Sequence, residues 1–329
     1  MVVRRPRQGL YDPRSGDPAL RVQPLRLTPK PYEPPRTNYF GVYWIASGSG
    51  EFWADAGRHA FGPSSLLFFL PYQHIRLAPV AAVQGDVIQF HANFLCVETF
   101  HAEVGCAGVL FNDPYGVPRV TLDEPVREEV AGLIARMQRE QAERGLAHQE
   151  ALLAYLKVLL ILATRQKTAA GVCGAGAADA RHPVLSELRE LIEQHYCTLH
   201  APADYAALLH MTPKTLGRVV REHLGKTLTE LIRERILTHA KWQLLHTLRP
   251  IKEIAREVGF RDELYFSRMF KKATGVSPKF FREFETEIRG GSNLSMFSSS
   301  APIHRSAGAL DNSSNATRGP GASGSPSER

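Results

Sequence analysis

Long apolar runs are missing from this 329-residue sequence: the most apolar stretch, Ala151 to Ala163, has 13 residues and contains Lys157. A membrane-spanning helix takes about 20. The arginines at the start, Arg4, Arg5 and Arg7, are followed by prolines rather than an apolar segment, so no signal peptide is expected. Cysteine is scarce. Cys96, Cys106, Cys173 and Cys197 lie far apart without a C-x-x-C pair, which excludes a disulfide framework and a zinc finger and points to a reducing compartment. A cytoplasmic protein with no membrane partner is expected. A large excess of one charge sign is also lacking. The net charge of +7 divides into +5 over residues 1–36, −3 over 37–183, +4 over 184–289 and +1 over 290–329, so the +4 of 184–289 is too small to coat a polyanion nonspecifically.

What is present changes texture along the chain. Residues 1–36 hold eight prolines and eight Lys or Arg and read as a flexible Pro/Arg-rich arm. Residues 37–123 carry short aromatic and β-branched segments, among them Tyr39 to Ile45, Ser65 to Leu70 and Val87 to Phe90, between glycines and prolines. That spacing predicts a small antiparallel barrel or sandwich. Over 124–167 the period becomes helical. Val126, Val130, Leu133, Ile134 and Met137 mark one helix; Leu152, Leu156, Leu159 and Leu160 mark a second, with a stripe able to pack either on another copy of the chain or on its own barrel. Residues 168–183 read as an Ala/Gly linker. The last 40 residues contain 11 Ser, 6 Gly and 3 Pro, so 288–329 is expected to be a disordered tail.

Residues 184–287 contain an internal repeat. Leu216, Arg218, Val220 and Gly225 recur fifty positions later as Phe266, Arg268, Phe270 and Gly275, whereas Tyr205, Ala206 and Met211 recur at an offset of 49 as Ile254, Ala255 and Phe260. Each copy reads as a helix, a short turn and a second helix ended by glycine, with Thr212 and Asp262 as N-caps. Such a pair is the helix-turn-helix arrangement, whose second helix fits a major groove. With Leu216, Val220 and Leu224 inward, Lys214, Thr215, Arg218 and Arg221 are left outward. With Phe266 and Phe270 inward, Glu263, Leu264, Tyr265, Ser267, Arg268, Lys271 and Lys272 are left outward. These are the candidate DNA contacts, and Arg218 and Arg268 suit bidentate recognition of guanine.

Residues 184–286 resemble the DNA-binding domain of the AraC/XylS family of bacterial transcription regulators. The resemblance is carried by Leu216, Gly217 and Arg218; by Arg235, Ala240, Leu244 and Leu245; by Ile251, Ile254, Ala255, Gly259 and Phe260; and by Tyr265 to Arg268, Phe270 to Lys272, Gly275, Ser277, Pro278 and Arg282. It implies two helix-turn-helix units joined by a long helix, here Leu228 to about Leu248, that presents both recognition helices to one face of DNA. The first copy departs from the pattern at Val220, Arg221 and Gly217, and is expected to discriminate bases less sharply than the second.

Residues 37–122 are similar to the cupin-like sensor barrel of such regulators, through Gly48, Gly50 and Phe52, then Phe61, Pro63, Ser65, Pro71, Gln73 and His74, then Phe90, His91, Phe94 and Cys96. The resemblance implies an α+β multidomain chain: a cupin-like β-barrel with a helical dimerisation element, then an all-α double helix-turn-helix domain. An apolar barrel interior would hold a small-molecule effector, with Trp44, Trp53, Tyr72, Gln73, His74, Arg76 and His91 as contacts. Leu152, Leu156, Leu159 and Leu160 would serve a homodimer. Promoter DNA, and through it RNA polymerase, are the macromolecular partners implied. Cupin enzymes hold a metal through an H-x-H pair, which is absent here. No cofactor, metal or catalytic residue is expected, although His91, Cys96, His101, Glu103 and Cys106 offer zinc-type donors. The alternative they leave is a cupin-type metal enzyme or sensor fused to a DNA-targeting domain.

Overall fold

The computed structural model describes residues 10–97, 100, 102, 108–111, 113–170 and 183–289. The expected tail beyond Arg289, most of the expected linker and the first nine residues lie outside the described residues. Among the described residues, eight strands form two antiparallel sheets: β1 (Leu20–Leu27), β2 (Phe40–Ser47), β3 (Gly50–Ala54), β4 (Gly57–Phe61), β5 (Ser65–Phe69), β6 (Ile75–Pro79), β7 (Val83–Phe90) and β8 (Arg119–Thr121). The larger sheet runs β1-β7-β2-β5-β8 and the smaller β4-β3-β6.

Side-chain alternation divides the larger sheet into two faces. Leu25, Tyr43, Ile45, Leu67, Phe69 and Val87 face the smaller sheet, where Phe52, Phe61 and Leu77 meet them. Val22, Val42, Trp44, Leu66, Phe68 and Ile88 face the opposite way. Two antiparallel helices cover that second face, α1 (Glu124–Glu143) and α2 (His148–Ala169). Val130, Leu133, Ile134 and Met137 of α1, and Leu152, Leu156, Leu159 and Leu160 of α2, belong to the same buried cluster.

Two expectations are corrected here. Residues 20–27 are not part of a flexible arm: β1 pairs with β7 over eight residues, Leu20 opposite Phe90 through Leu27 opposite Val83. Pro24 is tolerated because β1 lies at the sheet edge, where a missing N–H interrupts no second ladder. Leu10 and Tyr11, earlier still, are buried against the C-terminal helices. The four leucines expected to pair with another copy are consumed within this chain, each 5% exposed or less.

The C-terminal region is helical: α3 (Pro183–His195), α4 (Pro202–Leu208), α5 (Pro213–Leu224), α6 (Leu228–His246), α7 (Ile251–Glu257), α8 (Glu263–Thr274) and α9 (Pro278–Ile288). The long helix α6 starts with a reciprocal capping box between Thr227 and Glu230, which satisfies two otherwise orphaned backbone donors. It buries Leu231, Ile232, Ile236, Ala240 and Leu244 against both helix-turn-helix units. Among the described residues, no helix is long and apolar enough to cross a membrane.

Candidate nucleic-acid interface

The two helix-turn-helix units, α4–α5 and α7–α8, repeat one another in detail. After α4 the backbone turns left-handed at His210 (φ 52°), and after α7 it does so at Gly259 (φ 88°), which is 49 residues later. The following N–H closes each turn in the same way, Met211 onto the Ala206 carbonyl and Phe260 onto the Ala255 carbonyl, both at 2.8 Å. The extra residue of the second copy, Arg261, falls after this closure and before the Asp262 cap. The recognition helices start on side-chain caps. Thr212 Oγ1 accepts from the Thr215 N–H at 3.1 Å, and Asp262 Oδ1 accepts from the Leu264 N–H at 2.8 Å. They end at Gly225 (φ 66°) and Gly275 (φ 82°), where L side chains are strained.

The apolar faces of these helices are spent on the core. Leu216, Val219, Val220 and Leu224 of α5 are buried, as are Phe266, Phe270 and Thr274 of α8. Lys214, Thr215, Arg218 and Arg221 are exposed on α5; Leu264, Tyr265, Arg268, Lys271 and Lys272 are exposed on α8; Glu263 and Ser267 are half-buried. Arg218 and Arg268 occupy the same turn of equivalent helices, each two residues beyond the buried Leu216 or Phe266.

The residues expected to hold an effector are brought together only in part: Tyr72, Gln73 and His74 line one cleft between the β domain and the C-terminal helices, whereas Trp44, Trp53, Arg76 and His91 do not. Trp44 is buried between the larger sheet and α1/α2, not between the sheets. Trp53 lies beside the guanidinium groups of Arg76 and Arg58, 4.8 and 5.6 Å from its ring. Arg76 also pairs with Glu33 at 3.4 Å, and His74 approaches the same carboxylate at 4.0 Å. Gln73 Oε1 caps the Leu70 N–H. Aromatic and aliphatic side chains pack between the sheets. The larger space is elsewhere, in a cleft of about 710 Å³ between the β domain and the C-terminal helices. Its walls include Asp55, Phe68, Leu70 and Phe111 from one side, and Lys226, Glu234, Leu237, Lys241, Tyr265, Arg268 and Lys272 from the other. Beside it is a second cavity of about 180 Å³ lined by Phe40, Tyr72, Lys241, Trp242, Phe281 and Glu285.

Tyr72, which lines both spaces, and His91 also take part in a seam between the domains. Glu285, from α9, is 2% exposed. Its Oε1 accepts from Tyr72 Oη at 2.5 Å and from Asn38 Nδ2 at 3.3 Å; its Oε2 is 3.3 Å from His91 Nε2 and 3.5 Å from Arg289 Nε. Burial pushes the Glu285 carboxyl up, but His91, Arg289 and Tyr72 outweigh it and hold the group below the usual carboxylate range. Burial, followed by the Glu285 charge, holds the Tyr72 phenol well above its ordinary value. Asn93 Nδ2 donates to the Ile288 carbonyl at 2.7 Å.

The seam also reaches both recognition helices at their C-terminal ends. The Arg58 N–H faces the Gly225 carbonyl at 3.5 Å, and Arg36 Nη1 donates to the Lys272 carbonyl at 3.2 Å. Lys226, buried next to Gly225, donates to Glu234 at 2.6 Å and to the Pro114 carbonyl at 3.2 Å. Sequence reading missed Glu285, Asn38 and Lys226. One signal was available: Glu285 sits within the apolar stripe Phe281, Phe284 and Ile288 of α9, where a lone carboxylate demands a buried partner. Of the zinc-type donors, His91 is engaged by Glu285 and Cys96 is exposed, while His101, Glu103 and Cys106 lie outside the described residues.

A β-sheet domain packed on two capped helix-turn-helix units, themselves joined by one long helix, defines a two-domain protein of the helix-turn-helix class. Residues 205–283 match the family model described as a helix-turn-helix domain. The chain is 36% identical over 109 residues to the arabinose operon regulatory protein of Salmonella typhimurium, covering 32% of this chain and 39% of that protein. It is 25% identical over 202 residues to the HTH-type transcriptional activator RhaR of Cronobacter sakazakii, covering 59% of this chain and 68% of that protein. Among solved structures, it is similar to the C-terminal domain of AraT, a response regulator from Geobacillus stearothermophilus. The identity is 35%, over 31% of this chain and 85% of that one, with a TM-score of 0.30. Residues 205–283 are a helix-turn-helix domain of the AraC type, in a chain whose relatives are transcription regulators.

Proposed function

We propose that the protein is a sequence-specific transcription regulator that reads promoter DNA in the cytoplasm with its two helix-turn-helix units and responds to a small-molecule effector. The observation that carries this reading is the pairing of Arg218 with Arg268: two exposed arginines at equivalent positions of two capped recognition helices, set on one long connecting helix. Bidentate arginine contacts to guanine discriminate by about 1–3 kcal/mol each. Arg218→Ala and Arg268→Ala should therefore each weaken binding to a selected duplex roughly 5- to 150-fold, while affinity for random duplex DNA changes far less. Binding should also fall steeply with salt, since lysine and arginine contacts to phosphates release counterions. Salt-independent binding, or arginine variants that weaken random and selected DNA equally, would overturn the reading.

The effector belongs, in this proposal, to the cleft between the domains rather than to the space between the sheets. Support comes from the cleft's volume and from walls contributed by both domains. A ligand there touches Arg268 and Lys272 as well as the β domain, so it can bind open and closed arrangements unequally, which is what coupling to DNA requires. Pairing of two copies through a surface other than the Leu152, Leu156, Leu159 and Leu160 stripe, together with contact to RNA polymerase, completes the proposal. Light scattering over a concentration series checks the first, and transcription in vitro the second. No catalytic step is assigned.

A further inference from the structure

Leu264 is 71% exposed and its neighbour Tyr265 is 54% exposed. Other exposed apolar residues lie on loops, as Val80, Leu146 and Leu248 do, or on other helices and less exposed, as Val158, Leu208 and Trp242 are at 39–46%. Leu264 and Tyr265 instead occupy the first turn of the recognition helix α8, directly after the Asp262 cap. The N-terminal residues of a recognition helix are the ones that approach base edges. Tyr265 is partly engaged, its ring 5.8 Å from that of Phe260. Leu264 has its backbone N–H held by Asp262 and its side chain in solvent.

The internal repeat makes this informative. At the fifty-residue offset that superposes Arg218 on Arg268, Leu264 corresponds to Lys214 and Tyr265 to Thr215, both of them exposed on α5. The two units therefore share an arginine but differ in the turn before it. The first offers an ammonium and a hydroxyl, which suit acceptors on guanine or phosphate. The second offers the Tyr265 phenol and, in place of the ammonium, a branched aliphatic group with nothing to donate. The apolar group that unmodified DNA displays in its major groove is the thymine 5-methyl. Charge complementarity supports duplex DNA as the occupant, because Arg268, Lys271 and Lys272 flank the leucine on the same helix.

We infer that Leu264 reads a thymine methyl in the half-site bound by the second unit, beside the guanine contacted by Arg268, and that the first unit, with Lys214 at the equivalent position, does not. The two half-sites then differ in composition, so the protein docks on its operator in one direction. This inference rests on the proposed DNA-reading function, and its test separates the two.

The full-length chain is used to select duplexes from a randomised library, and the selected site is resynthesised with deoxyuridine in place of thymine, which removes only the methyl group. At one position of the second half-site the replacement is expected to weaken wild-type binding about fourfold, the value of burying one methyl group; no position of the first half-site responds. In Leu264→Ala, an exposed substitution, the penalty disappears while the melting temperature and salt dependence are unchanged. A wild-type protein indifferent to deoxyuridine throughout overturns the inference. So does a penalty that survives Leu264→Ala and vanishes in Tyr265→Ala, or an undiminished penalty in both. If no sequence is selected and binding does not depend on salt, the DNA-reading proposal itself fails, a result distinct from methyl indifference.

Discussion

Replacing Glu285 with alanine removes the acceptor shared by three groups buried at the seam. Tyr72 and His91 are 2% and 0% exposed, and Asn38 is 1% exposed. Each buried donor left unsatisfied costs about 1–3 kcal/mol, and these costs are not additive because the groups share one acceptor. Deleting one partner of a buried ionic pair costs about 3–5 kcal/mol, which sets the expected loss for Glu285→Ala. Glu285→Gln keeps an oxygen for Tyr72 but loses the charge facing His91 and Arg289, so about 1–3 kcal/mol is expected. Either loss is large beside the usual 5–15 kcal/mol of total stability. Because the carboxylate reaches from α9 into the β domain, it also couples the two domains. Urea unfolding followed by tryptophan fluorescence reads both sides: Trp44 and Trp53 report on the β domain, and Trp242 on α6. Wild type should unfold in one transition, and Glu285→Ala in two separated ones. The seam's stabilising contribution should fade at acid pH. The Glu285 carboxyl lies below its usual 4.5 in the folded state, so the contribution is present above that value and is lost as pH falls through the folded one. A Glu285→Ala protein within about 1 kcal/mol of wild type, still unfolding in one transition, would refute the reasoning.

Leu156→Lys should destabilise the β domain by at least about 3 kcal/mol, since it puts an ammonium into a site that already loses about 2–5 kcal/mol on truncation of a core leucine. A variant that melts like wild type but is a smaller oligomer would restore the stripe as an interface. His59 is held at about 4, by burial first and then by the charges of Lys226 and Arg119. The folded protein therefore keeps this imidazole neutral while the unfolded chain protonates it near 6.5. Its contribution is complete above pH 6.5 and falls by up to about 3 kcal/mol as pH drops to 4. Denaturation midpoints of His59→Gln and wild type should converge across that window, and parallel curves would contradict the assignment. At Gly217, an added Cβ meets no atom within 4 Å, and Gly217→Ala should raise stability by about 0.5–1 kcal/mol. A lower melting temperature would show that the helix needs the glycine for another reason.

The two helix-turn-helix units were legible because each rule points the same way there. Thr212 and Asp262 cap, Gly225 and Gly275 terminate, and the apolar residues keep a helical period between them. The core face of α2 was equally plain, but its partner was not: Leu156 and Leu160 look the same whether they meet another chain or the back of Trp44 and Phe68. The strand β1 was obscured by composition. Proline and arginine dominate the counts over residues 1–36, and the alternation of Leu20, Val22, Leu25 and Leu27 around Pro24 is short. The effector residues were legible only in part, since Tyr72, Gln73 and His74 reach the cleft while Trp44, Trp53, Arg76 and His91 do not. Local sequence marks Trp53, Tyr72 and His91 as aromatic or polar residues on strands and turns, but what they face is fixed by how the domains dock. That docking depends on distant residues such as Glu285 and Lys226.

The position of β1 bears on how this protein can be divided. A chain begun at residue 37, where the composition changes, keeps every residue of the smaller sheet and both covering helices, yet it leaves Val83 to Phe90 without its neighbour on one side. The main-chain groups that answered Leu20 to Leu27 would then face solvent along a flat strand carrying Val87, Ile88 and Phe90, an open template for strand addition between molecules. Fragments meant to isolate the β domain should therefore begin before Leu10, so that the segment preceding the strand is retained with it.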